Sequence, residues 1–172
     1  MSVPYQRISD ATTADIEFYD PAAERRAATL GISWDDFFQV GSQEILYMLE
    51  FSWWPKYVEN VWGATYYQSN SQGQIISAFD PDLLVKSDQT LIRLDVFKAV
   101  EQFYATLVTD VSNVNDVDRE NYKYARQRYV DEYDKAVQLS NFYDLYEDGT
   151  ITKLEENWQE DPNYFNGDRR YF

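Results

Sequence analysis

The feature that most constrains the fold is an apolar run between residues 89 and 109. Ser87 or Asp88 offers a side-chain oxygen that can cap a helix beginning at about residue 89. Apolar residues at helical spacing form one stripe, and others widen it: Leu91, Leu94, Val100, Phe103 and Leu107, with Ile92, Val96, Ala99 and Tyr104 beside them. Because a surface wider than one stripe needs more than one packing partner, the pattern predicts the central helix of a small bundle.

Two shorter helices are predicted before this one. Asp20 can cap the first, Pro21 suits its first position, and Gly31 can end it in a left-handed conformation. Ser33 can cap the second, which we expect to run to about residue 52 and to end at Trp53, Trp54 and Pro55. The two tryptophans indicate a packed helix end rather than a ligand cage, because no convergent polar groups accompany them.

A last long helix is predicted after a polar turn. Asp116 or Asp118 can cap it, and its apolar positions recur at alternating steps of three and four. On its other face, Arg128 with Glu132 and Asp131 with Lys135 have the i,i+4 spacing of ion pairs on a solvated surface. A short connection between two long amphipathic helices predicts an antiparallel helical hairpin.

These segments together predict a mainly α fold, a small helical bundle with a long antiparallel helical hairpin. We expect a loosely held N-terminal arm at residues 1–19 and the bundle at residues 20–140. Within the bundle, residues from about 56 to 79 are predicted to form a short β-hairpin or an extended loop. Residues 141–172 are predicted to form a turn, a short strand over 150–154 and an extended C-terminal arm.

The composition excludes several classes of function. Fifteen basic residues against thirty acidic ones give a net charge of −15, which opposes adhesion to nucleic-acid phosphates or anionic membranes. A protein that encircles or guides DNA without binding it tightly would tolerate this charge. The chain has no Cys and no His, which rules out thiol nucleophiles, Ser-His-Asp triads and zinc sites built from those ligands. No apolar run reaches membrane-spanning length and no signal-peptide pattern opens the chain, so we expect a soluble product of a cytoplasm.

Aromatic residues make up 17% of the chain, with Tyr the most frequent. Tyr and Trp bury large areas with few rotatable bonds, which suits interfaces with a partner as well as cores. The same residues on ordinary helices, with their hydroxyls in water, are an equally good interpretation.

One loop comes close to a calcium site. Its oxygen-bearing residues and its glycine match positions of an EF-hand loop: Asp144, Asp148, Gly149, Thr150, Thr152 and Glu155. Tyr146 occupies a position that normally supplies a ligand, so a plain Asp-Gly turn is favoured over calcium binding. Neighbouring carboxylates such as Asp35 and Asp36 point in different directions on a helix, which disfavours acid–base catalysis and leaves a carboxylate-dependent hydrolase as an alternative only. The sequence predicts neither an enzyme nor a cofactor.

The C-terminal residues combine two cations with two aromatic rings: Arg169, Arg170, Tyr171 and Phe172. On a strongly acidic chain such a terminus is attracted to an acidic groove on a neighbour, where Arg can bind carboxylates in a bidentate manner. A solvated tail is the alternative interpretation.

Over roughly residues 33–172 the chain resembles the head-to-tail adaptor, or connector, proteins of tailed bacteriophages. The resemblance is carried by residues 79–84 (FDPDLL), 91–101 (LIRLDVFKAVE) and 124–136 (YARQRYVDEYDKA), followed by an Asp-Gly turn and an arginine-bearing end. The excess of tyrosine and the long aromatic segment from Trp53 to Ile76 depart from the pattern of that family.

The resemblance implies a non-enzymatic structural protein of the virion neck, made in the cytoplasm of a host bacterium. In that family the bundle forms a homo-oligomeric ring, here expected to be a dodecamer, between the portal protein and the next tail or neck protein. DNA passes through the lumen without sequence-specific binding. Portal docking is thereby assigned to Arg169, Arg170, Tyr171 and Phe172. A calcium-binding module or a hydrolase is the competing function.

Overall fold

A computed structural model describes residues 6–57, 79–109, 116–139 and 142–143. In these ranges the chain forms five α-helices: α1 (Thr13–Tyr19), α2 (Pro21–Leu30), α3 (Asp35–Met48), α4 (Gln89–Thr109) and α5 (Asp116–Leu139). The prediction of a mainly α fold is confirmed.

Local sequence signals set the ends of α2 and the start of α4. The Asp20 carboxylate accepts a hydrogen bond from the Ala23 amide, Pro21 is the first residue of α2, and Gly31 ends it at φ 66°. The Asp88 carboxylate accepts from the amides of the first turn of α4, at 2.7 Å from the Thr90 nitrogen. These caps satisfy amides that have no partner inside their own helix.

Helix α3 does not end at the tryptophan pair. It passes into a π-helical turn at Leu49–Trp53, and helical backbone continues through Pro55 to Tyr57. A proline has no N–H to donate, and its ring collides with the preceding turn of a regular α-helix. Here a π turn precedes the proline and helical backbone continues beyond it, so the prediction of a helix end at Trp53 is wrong.

The central position of α4 follows first from its contacts with α3. Asp95 accepts a hydrogen bond of 3.0 Å from the Ser42 hydroxyl of α3. Gly41 brings the two backbones close, since a Cβ built on it would lie 3.7 Å from the Ala99 nitrogen. One side of α4 therefore packs directly on α3.

Helix α5 covers the other side of α4. Arg93 pairs with Glu132, and the Arg128 guanidinium lies 4.3 Å from the centre of the Phe97 ring. Residue numbers rise along α4 as they fall along α5, so the two helices are antiparallel. Each of these α4 residues lies two positions before one that contacts α3, and two positions on a helix turn the side chain by about 200°. Helices α3 and α5 therefore pack on different faces of α4, and they also contact each other, because the Tyr129 hydroxyl of α5 donates to the Met48 Sδ of α3.

The described part of the N-terminal segment differs from the expected loose arm. Ile8, Ala11 and Ile16 are fully buried, and Ile16 belongs to α1, which packs against α4. The Asp10 amide also donates to the Lys86 carbonyl. These apolar residues lie on a turn and on the short helix after it, so their spacing in the sequence matches neither a helical nor a strand period.

The segment before α4 meets the segment after α5. Asp80 caps a 3₁₀ turn at Pro81–Leu83, and Leu84 and Tyr143 form an isolated antiparallel bridge. The Val85 amide donates to the Phe142 carbonyl at 2.9 Å. This pairing closes the bundle at the end where α4 begins.

Several predictions lie outside the described residues. They concern the β-hairpin or extended loop, almost all of which falls on residues 58–78, the polar turn at 110–115, the strand at 150–154 and the C-terminal arm over 144–172.

Substitution at Gly41 tests the close packing of α3 on α4. A Cβ at this position would lie 3.1 Å from the Lys98 Cγ. We expect Gly41→Leu to lower the free energy of unfolding by about 1–3 kcal/mol, because overpacking displaces a side chain that is held by ion pairs. Chemical denaturation measures this change, and Gln39→Leu, on the exposed side of the same helix, is the control. Equal stability of the two variants would contradict the close approach.

Candidate functional site

The residues that the sequence assigns to partner docking, Arg169, Arg170, Tyr171 and Phe172, lie outside the described ranges, as does the loop from Asp144 to Glu155. Within the described part of the chain, no group of three or more His, Cys, Asp or Glu residues is arranged to hold a metal ion. The helices described there include none that is both long enough and apolar enough to cross a membrane.

The exposed side of α3 carries large apolar residues. Val40, Tyr47 and Phe51 are 51%, 63% and 62% exposed, and the Tyr47 and Phe51 rings contact each other at a centroid distance of 4.5 Å. A hollow open to solvent is lined by Gln43, Glu44, Tyr47 and Met48. We call this surface the α3 face and define it by Asp36, Val40, Gln43, Glu44, Tyr47 and Phe51.

The α3 face is acidic as well as apolar. Asp36 and Glu44 belong to this face, and the surrounding residues 33–55 contain two further acids, Asp35 and Glu50, and neither Lys nor Arg. Apart from Glu44, these acids form no ion pair with any described residue. The surface therefore offers carboxylates and aromatic rings together, a combination that attracts a cationic partner with apolar side chains.

A buried lysine holds the α3 face against the rest of the bundle. The Lys98 Nζ lies 2.7 Å from carboxylate oxygens of both Glu44 and Glu101 and 4.6 Å from the centre of the Tyr129 ring. Burial on its own lowers the pKa of Lys98, but the hydrogen bonds and charges of Glu101 and Glu44 outweigh it and raise that pKa. The lysine is therefore charged at neutral pH and joins α3, α4 and α5.

Two tyrosines of α5 complete this junction. The Tyr129 hydroxyl donates to the Met48 Sδ, and the Tyr133 hydroxyl donates to the Met48 carbonyl, each at 3.2 Å. Burial raises the pKa of both phenols above the ordinary value. They remain neutral donors, so the last turn of α3 is fixed to α5 by hydrogen bonds as well as by packing.

Helix α5 presents a different surface. Four exposed residues spaced by four, three and four positions form what we call the α5 stripe: Arg119, Lys123, Arg126 and Val130. Val117 and Tyr124, each 64% exposed, lie on the same helix beyond the stripe. The cations of the stripe are held weakly within the described structure, since Arg119 and Lys123 have exposed partners one turn away and Arg126 has no ion pair there.

The ion pairs of α5 differ from the two that the sequence predicts. Arg128 pairs with Asp20 at 3.1 Å and also donates to the Tyr19 carbonyl. Glu132 pairs with Arg93 and Lys135. The i,i+4 spacing cannot predict ion-pair partners that come from other helices. Through Asp20 and Tyr19, Arg128 binds the junction of α1 and α2 to α5.

A buried carboxylate of α4 binds the N-terminal segment to the bundle by hydrogen bonds. Asp95, with no exposed area, accepts hydrogen bonds from the Ser9 hydroxyl at 2.8 Å, the Ser42 hydroxyl at 3.0 Å and the Arg7 guanidinium at 3.1 Å. Burial raises the pKa of Asp95, and these donors and the charge of Arg7 oppose the shift. The Arg7 guanidinium also lies 4.4 Å from the centre of the Phe38 ring. This cluster is structural because its acid is fully buried and is surrounded by donors in the core.

A cluster of aromatic rings packs where α3 ends. Trp53, fully buried, stacks on Tyr57 and Phe142 at centroid distances of 4.6 and 4.7 Å. Phe79 and Tyr143 pack around the same indole. The prediction that the tryptophans are packed rather than part of a ligand cage agrees with this burial. The cluster joins α3 to the segments before α4 and after α5.

Sequence reasoning missed the buried charges of α4. Asp95, Lys98 and Glu101 lie among the apolar positions of the widest hydrophobic helix, and all three are buried. Their spacing of three residues was the available signal, because it places all three within one sector of a helix that is otherwise apolar. Asp95 and Lys98 have partners on other segments, and Glu101 pairs with Lys98 on the same helix.

A scan against protein-family models and searches of the curated proteins and the solved structures found no significant match to this chain.

Proposed function

We propose that this protein is a structural component of a bacteriophage neck, an adaptor that forms a ring between the portal protein and the tail and lets DNA pass through its lumen. The observation that carries the proposal is the presence of exposed apolar residues on both helices that pack against α4. Val40 and Tyr47 are exposed on α3, Phe51 on the π turn that follows it, and Val117, Tyr124 and Val130 on α5. A subunit of a closed ring needs two different surfaces on two of its sides.

The charge of the chain supports a lumen that does not retain DNA. A net charge of −15 repels the phosphate backbone, whereas proteins that hold DNA neutralise phosphates with Lys and Arg. In this role the helical bundles of the subunits form the body of the ring. Each bundle contains the helical hairpin as its central element and a β-hairpin or extended loop at about residues 56–79. The arm at 141–172 extends to the portal, so that the protein works in the virion neck and through no catalytic step.

Truncation tests the assignment of portal docking to the C-terminal residues. We expect deletion of residues 163–172 to leave the melting temperature of the bundle unchanged and to abolish co-sedimentation with the cognate portal protein. The removed segment contains both arginines and the aromatic pair that can enter an acidic groove.

A second variant separates charge from chain length. Arg169→Ala with Arg170→Ala keeps the full chain and should weaken portal binding more at low than at high salt, because salt screens the contribution that is lost. Portal binding that survives the deletion would contradict the docking assignment, and the ring itself would then be tested by the oligomeric state alone.

The competing function, a calcium-binding module, makes a different prediction. A monomer whose melting temperature rises steeply with calcium would favour that function, because a ligand that binds only the folded state stabilises it by mass action. A ring-forming chain whose melting temperature is indifferent to calcium is the result that we expect.

A further inference from the structure

The α3 face combines exposed rings with carboxylates that have no ion-pair partner. Tyr47 and Phe51 are more than 60% exposed and contact each other. Asp36 on this face and Glu50 beside it form no ion pair with any described residue. Such a surface favours a segment that carries both Arg and aromatic side chains, because a guanidinium group binds carboxylates and also stacks on rings.

The other largely exposed rings in the described part of the chain lie close to cations. Tyr124 on α5 has the Arg128 guanidinium 5.5 Å from its ring centre. Phe18 on α1 is a single exposed ring, and the hollow that its neighbour Glu17 lines also contains Arg25. The α3 face is therefore the described surface that best suits an arginine-bearing aromatic segment.

The chain contains such a segment in its masked C-terminal part, which we call the C-terminal motif: Arg169, Arg170, Tyr171 and Phe172. Its two arginines are the only cations after Lys153. Asp168 precedes them, so the attraction comes from bidentate bonds between guanidinium and carboxylate groups at close range rather than from a large net charge.

The chain leaves the described bundle close to the α3 face. The Tyr143 ring lies 5.1 Å from the Trp54 ring, and Trp54 follows Phe51 by three residues. The stretch from Tyr143 to Arg169 can span up to about 85 Å, whereas the face from Asp36 to Phe51 is about 22 Å long. The motif can therefore reach the face of its own chain, and the covalent connection favours that face over the same face of another copy.

We propose that the C-terminal motif binds the α3 face of its own chain. The guanidinium groups bind carboxylates of this surface, and the two rings of the motif pack against Tyr47 and Phe51. Solvent-exposed ion pairs are weak, so the contact forms and breaks reversibly and changes the stability of the bundle little. The contact does not depend on the proposed function. In that function, the α3 face competes with the portal for the same four residues.

Intramolecular cross-linking tests this contact, since the chain has no native Cys. Two double variants carry Gly167→Cys together with either Gln43→Cys on the α3 face or Arg25→Cys on α2, both at exposed positions. Each is treated with a short bismaleimide at low protein concentration, and the internally linked peptides are quantified by mass spectrometry. We expect at least a threefold higher yield at position 43 than at position 25.

Two further substitutions separate binding from mere proximity. Arg169→Ala with Arg170→Ala should lower the yield at position 43 at least threefold and leave the yield at position 25 unchanged. Tyr47→Ala, which alters the face instead of the motif, should have the same effect. A yield at position 43 that neither change lowers would overturn the inference, because proximity alone would then account for the cross-link.

A mixture of single variants identifies the chain that supplies the motif. Gln43→Cys mixed with Gly167→Cys should give little cross-linked dimer at the concentration that gives the internal link. A dimer yield equal to that of the internal link would overturn the inference, because the motif of another copy would then occupy the face. The proposed ring is tested separately by the oligomeric state, so it would stand after either contrary result.

Discussion

Replacement of Trp53 by Ala is expected to lower the free energy of unfolding by about 3–5 kcal/mol, the usual range for removing a large aromatic side chain from a core. The indole is fully buried and stacks on Tyr57 and Phe142, which belong to chain segments far apart in the sequence. The substitution leaves a cavity and also removes the ring that joins those segments. Chemical denaturation followed by far-UV circular dichroism measures the change.

Two further variants separate packing from hydrogen bonding at this position. The indole N–H of Trp53 has no hydrogen-bond partner within the described part of the chain. Trp53→Phe, which keeps a ring and removes that donor, should therefore be destabilised by less than half as much as Trp53→Ala. Phe51→Ala, at an exposed ring on the same π turn, should change stability by about 0.5 kcal/mol or less. A Trp53→Ala variant as stable as Phe51→Ala would contradict the role of the cluster.

Replacement of Asp95 by Ala is expected to destabilise the fold by about 3 kcal/mol, because removal of one partner from a buried ionic cluster leaves the others without compensation. Ser9, Ser42 and Arg7 all donate to this carboxylate. Since two of these residues precede α1, the N-terminal segment should also lose its anchor. Hydrogen exchange of amides in residues 6–12 should accelerate in this variant, and Asp10→Ala, an exposed acid in the same segment, should change neither quantity.

The pH dependence of Asp95→Asn tests the charge state of the cluster. Burial raises the pKa of Asp95 in the folded protein above its ordinary value. Stability from this raised pKa is fully present below the ordinary value of about 3.9 and is lost as the pH rises through the folded value. Stability of the wild type relative to Asp95→Asn should therefore fall as the pH rises from acid towards neutrality. A difference that does not change with pH would contradict the raised pKa.

The sequence predicts well those features of the fold, such as helix ends, that depend on interactions between residues close in the chain. Asp20, Gly31 and Asp88 act on amides and backbone angles within a few residues of themselves, and the structure shows all three in the predicted roles. The width of the apolar surface of α4 likewise predicts its central position, because burial on several sides is a property of one helix and its composition.

What the sequence does not predict depends on partners that are distant in the chain. The residues next to Asp95 in the sequence do not indicate that Ser9 and Arg7 donate hydrogen bonds to it. Those next to Arg128 likewise do not indicate its ion pair with Asp20. The π turn before Pro55 was also missed, because a proline ends most helices, and the burial of Trp53 and Trp54 around this turn is a tertiary feature.

The candidate interface was partly visible in the sequence. The high Tyr and Trp content indicated surfaces for partners, but it could not separate buried rings such as Tyr129 from exposed ones such as Tyr47. The spacing of cations on α5 was also visible, yet which of them remain exposed depends on how α5 packs against α3 and α4. That arrangement comes from the structure.

The oligomeric state of the purified full-length chain tests the proposed ring most directly. Mass measurement in solution together with negative-stain electron microscopy should show closed rings of one copy number, in equilibrium with smaller species on dilution and dissociating at high salt as opposite charges are screened. A chain that stays monomeric at every concentration and salt, with no rings in the micrographs, would contradict the proposed function.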